Sequence, residues 1–441
     1  MTLAQAVGPG HTDLMGGRMV AILVLFLASG VESHASLIPG AGTSGQGSDG
    51  EARVRVRLAE AATSVPIRGY DLKIYQTVRS APALAYAAEK SSEWEFRCAG
   101  SRVRAISLRG NKTLDFAGPV TISTPAGLIR LGNRPYRDQI RIYAAGSFCE
   151  VVNELGVEKY LAGIVNAEFN SKWNESSIEA QVIAARTYAL YQIRAQSQRD
   201  AHYDVDSTVR DQVYDGYGRE DYRGSIAVEK TRGMALLAMG QGGNWLPIKA
   251  FYHSTCAGRT ELPENVWGAS FIGFKREVNC PYCGRSPAIS WNLALTNSEI
   301  AQLMLRGVSG AGAPSGWPKG WRSVLTEGRL INLQPGSWTP SLRRGEIFSF
   351  WTDRFGNPVQ LKVSAAKFRE WVGAGRFKST VFNVQPESLS GGILGWRFTG
   401  RGNGHGVGMC QWGAKTMGER GFSAVAILQH YYPDGVIRKL W

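Results

Sequence analysis

Residues 157–190 read VEKYLAGIVNAEFNSKWNESSIEAQVIAARTYAL, and here the spacing of apolar side chains changes period. Leu161, Ile164, Val165 and Phe169 fall on one face at helical intervals, which predicts a first helix. The pattern breaks at Lys172-Trp173. Asn174 then offers a side-chain oxygen to the free amides of a second helix, where Ile178, Val182, Ala185 and Ala189 recur at steps of four, three and four. Upstream the period is two: Val54-Arg55-Val56-Arg57-Leu58, Val120-Thr121-Ile122 and Ile140-Arg141-Ile142-Tyr143 alternate between turn residues, so about 52–155 is β-rich. Downstream, about 203–285 reads as short strands and loops and 286–395 as a mixed region. That region holds a helix over Asn297–Arg306 and a Gly/Pro-rich loop over Gly310–Gly320. A glycine-dense loop and a helix from Ser423 to His430 follow. The expectation is an α+β fold, with a β-rich N-terminal part and a mixed C-terminal part around a central helix pair.

The chain has 441 residues, of which 44% are hydrophobic and 20% charged, and this excludes a disordered tail, a collagen-like fibre and a simple coiled coil. Fifty Lys and Arg against thirty-six Asp and Glu give a net charge of +14, which favours a polyanionic partner and says nothing of the fold. Met19–Ala28 (MVAILVLFLA) is too short to span a bilayer. It suits the core of a signal peptide, with Arg18 before it and Ser33-His34-Ala35 as a small-x-Ala cleavage site. Residues 1–35 are therefore expected to be a signal peptide, with Met15 as an alternative start, and 36–51 a Gly/Ser-rich linker. The remaining 52–441 form one unit with a lobe or insertion at 286–395. Cleavage would remove one arginine and two acids and leave +15, with no membrane span afterwards.

Three stretches carry titratable groups in unusual settings. Glu168 lies four residues after Ile164 and seven after Leu161, so its carboxyl falls on the apolar stripe at the end of the first helix. A carboxyl stripped of water there holds a proton nearer neutral pH and can act as a general acid. The alternatives are a partly exposed helix-end glutamate, or one paired with a buried arginine such as Arg186. Glu179 directly follows Ile178, points off the stripe and reads as a structural ion-pair partner. The second stretch, Gly402–Gln411 (GNGHGVGMCQ), has alternate glycines that let backbone approach closely, with His405 and Cys410 as its titratable groups. The third, Tyr252–Gly258 (YHSTCAG), includes Ser254 but no G-x-S-x-G elbow. No nucleotide-binding fingerprint is present, and no organic cofactor is expected. Of the thirteen Trp, Trp173, Trp267 and Trp412 are candidates to stack on sugar rings, and most of the others belong to the core.

Residues 157–190 and Gly400–Tyr432 (GRGNGHGVGMCQWGAKTMGERGFSAVAILQHYY) resemble the SpoIID/LytB family, the sporulation stage II protein D and amidase-enhancer group. Asp204–Gly216, Phe251–Trp267 and Phe368–Phe382 are similar to it in the same order, so the resemblance spans about 52–441. It implies a lytic transglycosylase that cuts the glycan backbone of peptidoglycan, with Glu168 of the Ala167-Glu168 pair as the single acid and base. Arg186, Tyr188, Ser254, Thr255, His405 and Gln411 are the implied glycan-binding residues. The amidase-enhancer branch implies the alternative, a non-catalytic wall-binding protein with an amidase as partner. Export to the periplasm or cell envelope fits either reading, and nucleic acid is not an expected partner.

The chain departs from the family in its cysteines. Some sporulation relatives bind zinc with His and Cys around the segment matching Asp204–Tyr214, which here has neither. Instead Cys256 and Cys410 stand where many relatives have Ser, and they accompany Cys280-Pro-Tyr-Cys283. Redox chemistry at this C-x-x-C is disfavoured, because Gly284 and Pro287 follow where a helix would be needed. Cys256, Cys280, Cys283 and Cys410 are the expected ligands of a structural zinc ion, with His253 able to replace one of them. Two disulfides are the competing reading. Cys98 and Cys149 remain for a disulfide or as buried thiols.

Overall fold

The computed structural model describes residues 50–441 apart from 79–80, 89, 200, 310–311 and 390–392. The expected signal peptide and most of the linker lie outside the described residues. The fold is α+β, as the sequence predicts.

The alternating N-terminal part forms one large, mostly antiparallel sheet. Arg53–Ala62 pairs with Phe148–Gly156, which pairs in turn with Arg134–Ala145. Val54 and Val56 of the first strand are fully buried. The arginines between them point the other way, Arg55 to Asp204 (2.7 Å) and Arg57 to Asp206 (2.9 Å). These ion pairs fasten the short parallel strand Val205–Asp206 to the sheet edge. Cys98 and Cys149 are joined as a disulfide between two strands of this sheet.

The strand ending at Gly156 runs straight into α1 (Val157–Glu168), and α2 (Glu175–Ser197) follows after a six-residue turn. The Asn174 side chain accepts the amide of Ser176 at 2.9 Å, so the expected cap is made. One apolar face was expected on α2. Instead every residue from Ala180 to Leu190 is buried, because the sheet, α3 (Tyr222–Lys230) and the C-terminal helices surround it. A helix buried all round needs small side chains, and the alanines supply them.

Helix α3 was not expected within the strand-and-loop stretch. Only Gly224, Ala227 and Val228 of it are buried, too few to show a period, and its clearest mark is the Asp221 cap on the Gly224 amide (2.9 Å). A short α4 (Pro263–Trp267) follows.

Residues 290–401 hold two three-stranded sheets with α5 (Asn297–Ser309), α6 (Trp321–Glu327) and α7 (Ala365–Val372). A core of their own runs from Trp291 to Phe398 and includes Phe368, Phe377 and Phe382. The chain then returns to the body. Met409–Cys410 pairs parallel to Tyr252–His253 and leads into α8 (Gln411–Glu419) and α9 (Ala424–Tyr431), the latter capped by Ser423. No helix among the described residues is long and apolar enough to cross a membrane.

Candidate functional site

Helix α1 carries Tyr160, Leu161, Ile164 and Val165 inward, and the same face ends at Glu168. Phe169 stops the helix by turning extended (φ −146°), while its amide still reaches the carbonyl of Val165 at 2.8 Å. Phe169 is buried and meets Trp173 edge-on (4.5 Å between centroids), and Trp173 meets Trp412 of α8 edge-on (5.0 Å). Between these rings opens a cavity of about 470 Å³, lined by Glu168, Asn170, Lys172, Trp173, Gln411 and Trp412 among others.

Glu168 is the only acid among the described residues that line this cavity. One carboxylate oxygen accepts the backbone amide of Val213, and no ion pair reaches it among the described residues. Burial raises its pKa above the usual 4.5, and the Val213 amide only partly offsets that. Gln411, the first residue of α8, donates to the main-chain carbonyl of Glu168 (3.1 Å) and reaches Gln181 (3.5 Å). The C-terminal signature thereby holds the end of α1 in place.

The other expected glycan contacts lie elsewhere. Arg186 is fully buried; it donates to Glu158 (2.7 and 3.1 Å) and to the carbonyls of Met234 (3.0 Å) and Val228 (3.2 Å). Its placement in a glycan cleft is corrected: a guanidinium with this many protein acceptors and no exposed surface has nothing left for a sugar. The same finding removes the alternative in which Arg186 pairs with Glu168. Tyr188 is also buried, and its hydroxyl donates to Asp211 at 2.6 Å. Burial, then that carboxylate, pushes its pKa far up. Thr255 is fully buried against Ser286 (2.7 Å), and the carbonyl of Ser254 accepts the amide of Trp412 at 3.1 Å, so both shape the loop beneath α8.

His405 is half-buried beside Phe251 (5.9 Å), Trp267 (5.1 Å) and His253 (5.5 Å), on a separate aromatic shelf. Burial, His253 and nearby arginines hold its pKa well below the ordinary value, so the ring is neutral. Of the seven residues expected at a glycan site, Glu168 and Gln411 line the cavity, and Tyr188, Ser254, Thr255, His405 and Arg186 do not.

The four remaining cysteines converge. The sulfurs of Cys256, Cys280, Cys283 and Cys410 all lie within 4.8 Å of one another, and all four residues are buried. They are not joined as disulfides, and Cys256 and Cys283 are 3.6 Å apart. Tetrahedral coordination at about 2.3 Å per bond puts sulfurs about 3.8 Å apart, so the spacing fits a single metal ion. Donors to sulfur are in place: the amide of Cys256 reaches Cys410 (3.3 Å), the amide of Gly258 reaches Cys256 (3.4 Å), and the Tyr431 hydroxyl lies 3.1 Å from Cys280. A Cβ on Gly413 would stand 2.8 Å from the Cys280 sulfur, so only glycine lets α8 approach this closely. His253 is not among the converging groups. The cluster can hold a metal.

Residues 146–237, which contain α1, α2 and Val213, match the family model described as stage II sporulation protein. That segment of the chain is similar to the SpoIID family. The chain is 28% identical to an uncharacterised protein of Brachyspira hyodysenteriae, over 64% of its own length and 66% of that protein. It is 27% identical to a Bacillus subtilis protein named amidase enhancer, over 62% of this chain and 39% of the relative. With the stage II sporulation protein D of Bacillus amyloliquefaciens the figures are 28%, 64% and 74%. The chain thus spans less than two thirds of the length of the first two relatives.

Several residues around Glu168 carry little signal in the sequence. Asn170 and Lys172 sit in the turn after α1, which the sequence marks only as a break. The Val213 amide carries no side-chain signal at all; only its membership of the Asp204–Gly216 signature pointed to that loop. Trp173 and Trp412 were candidates for stacking and do wall the cavity, whereas Trp267 lies on the His405 shelf.

Proposed function

We propose that this chain cleaves the glycan backbone of peptidoglycan as a lytic transglycosylase, with Glu168 as its single acid and base. The observation that carries this reading is a half-buried carboxyl with no ion pair among the described residues, the sole acid among those that line an aromatic-walled cavity. Protonated Glu168 gives its proton to the glycosidic oxygen as the bond from the sugar's C1 breaks. The carboxylate then takes the proton of the same sugar's C6 hydroxyl, whose oxygen closes on C1 to form a 1,6-anhydro ring. Protons balance without water, and no second carboxylate is needed, unlike the scheme of ordinary glycosidases. Trp173 and Trp412 offer ring faces to the sugars, with Asn170 and Lys172 at hand for hydroxyls and carboxylates. A net charge of +14 suits an anionic wall polymer met in the cell envelope.

The four-cysteine cluster is proposed to hold zinc in a structural role. Cys410 immediately precedes Gln411, so a metal bound there would brace the residue that grips the end of α1. Elemental analysis should find about one zinc per chain; no metal and no free thiols after denaturation would replace this with two disulfides.

The relative named amidase enhancer supports a second reading, in which the chain binds glycan and assists an amidase. Digestion of purified peptidoglycan, with and without stem peptides and with and without an amidase, separates the two. The enzyme reading expects 1,6-anhydro-muramic products from this chain alone. Their absence, with a faster amidase in its presence, selects the enhancer.

A further inference from the structure

Arg343 lies in the turn between strands Arg329–Pro335 and Glu346–Thr352, yet it is among the largest fully buried side chains of the molecule. One nitrogen donates to the carbonyl of Cys256 at 2.9 Å, another reaches the Thr380 hydroxyl at 3.4 Å, and Nε has no partner. The guanidinium lies against Gly406, where a Cβ would come within 2.4 Å of it. Among the described residues no carboxylate forms an ion pair with it. Glu261 is near, but its oxygens are taken by the Leu262 amide (2.7 Å), Asn265 (2.8 Å), Thr339 (2.9 Å) and Ser341. A second cation, Arg369, stands close enough to repel it. An unpaired buried charge costs several kcal/mol and persists only where something compensates it.

The hydrogen bond to the Cys256 carbonyl sets the guanidinium against the loop that carries one of the four converging cysteines. Four thiols lose four protons on binding a divalent metal, and the resulting tetrathiolate centre carries two net negative charges. We propose that Arg343 is the outer counter-ion of the four-cysteine metal centre, supplied by the 290–401 segment. This rests on the metal reading above. It assigns Arg343 a positioning role: the guanidinium fixes the Cys256 loop by hydrogen bond and offsets thiolate charge, as partners beyond the ligands do at metal sites. The same hydrogen bond ties the 290–401 segment, which has its own core, to the loop that carries Cys256.

The test uses the full chain loaded with zinc, or with cobalt(II) as a spectroscopic probe, comparing wild type, Arg343→Met and Arg343→Lys. Zinc transfer to a chromophoric chelator should be at least ~10-fold faster from Arg343→Met, with Arg343→Lys close to wild type. In the cobalt form, loss of the cation should move the thiolate-to-metal absorption to lower energy, a shift that a mere packing role would not produce. Zinc release and cobalt spectra in Arg343→Met equal to those of wild type would overturn the proposal while leaving the metal centre standing. A wild-type chain that takes up neither metal would overturn the metal centre itself, and the counter-ion with it.

Discussion

Helix α1 carries a carboxylate at each end, Glu158 buried and Glu168 half-buried, and the two are kept very differently. Glu158, in its first turn, meets the guanidinium of Arg186 through both oxygens and also accepts the amide of Gly233 at 3.0 Å. Glu168, its last residue, has a single amide donor and a cavity. Both lose water; only the first receives a counter-charge. The consequence is a division of labour along 12 residues: a structural anchor where charge is matched, and a proton-holding group where it is not. Arg186, which belongs to the signature as clearly as Glu168 does, serves the anchor.

The contrast can be broken at either end. Replacing Arg186 by Met strands Glu158 as a buried unpaired charge, and unfolding free energy should fall by about 3–5 kcal/mol. Denaturant titration checks this, and a loss under 1 kcal/mol would show that the anchor is not one. Next in size, Gln411→Ala removes a hydrogen bond to the end of α1 and should slow glycan cleavage by about 5- to 30-fold with little change in melting temperature. The smallest effect is in stability against pH. Glu168 has its pKa raised by folding, so what it contributes to stability is fully present below its unfolded value and is lost as pH rises through the folded one. Glu168→Gln should therefore be more stable than wild type at pH 7, with the gap closing towards pH 4. Thermal melts at both pH values test the sign, and an unchanged gap would mean that Glu168 is not desolvated.

Much of this was legible in the sequence. The stripe Leu161-Ile164-Val165 put Glu168 on a buried face, Asn174 marked the start of α2, and alternation around Val54 and Val56 gave the sheet. What failed was the assignment of neighbours. A motif shows that Arg186, Tyr188 and Thr255 matter, but burial and partners come from residues far along the chain. Glu158 lies 28 residues before Arg186, Asp211 lies 23 after Tyr188, and Ser286 lies 31 after Thr255. Helix α3 escaped because it buries so few apolar residues. The cysteines were readable as candidate ligands from C-x-x-C spacing and from their departure from the family, although sequence left metal and disulfides open. Arg343 gave no sequence signal, since nothing nearby in the chain reveals that a turn arginine is buried.

Removing the Glu168 carboxyl tests its proposed role as the lone acid most directly. Purified peptidoglycan should be digested in parallel by wild type and by Glu168→Gln, with 1,6-anhydro-muramic products counted by mass spectrometry. Wild type should release them, and the variant, folded and at least as stable at pH 7, should release at least ~100-fold less. Equal release by both proteins would contradict the account.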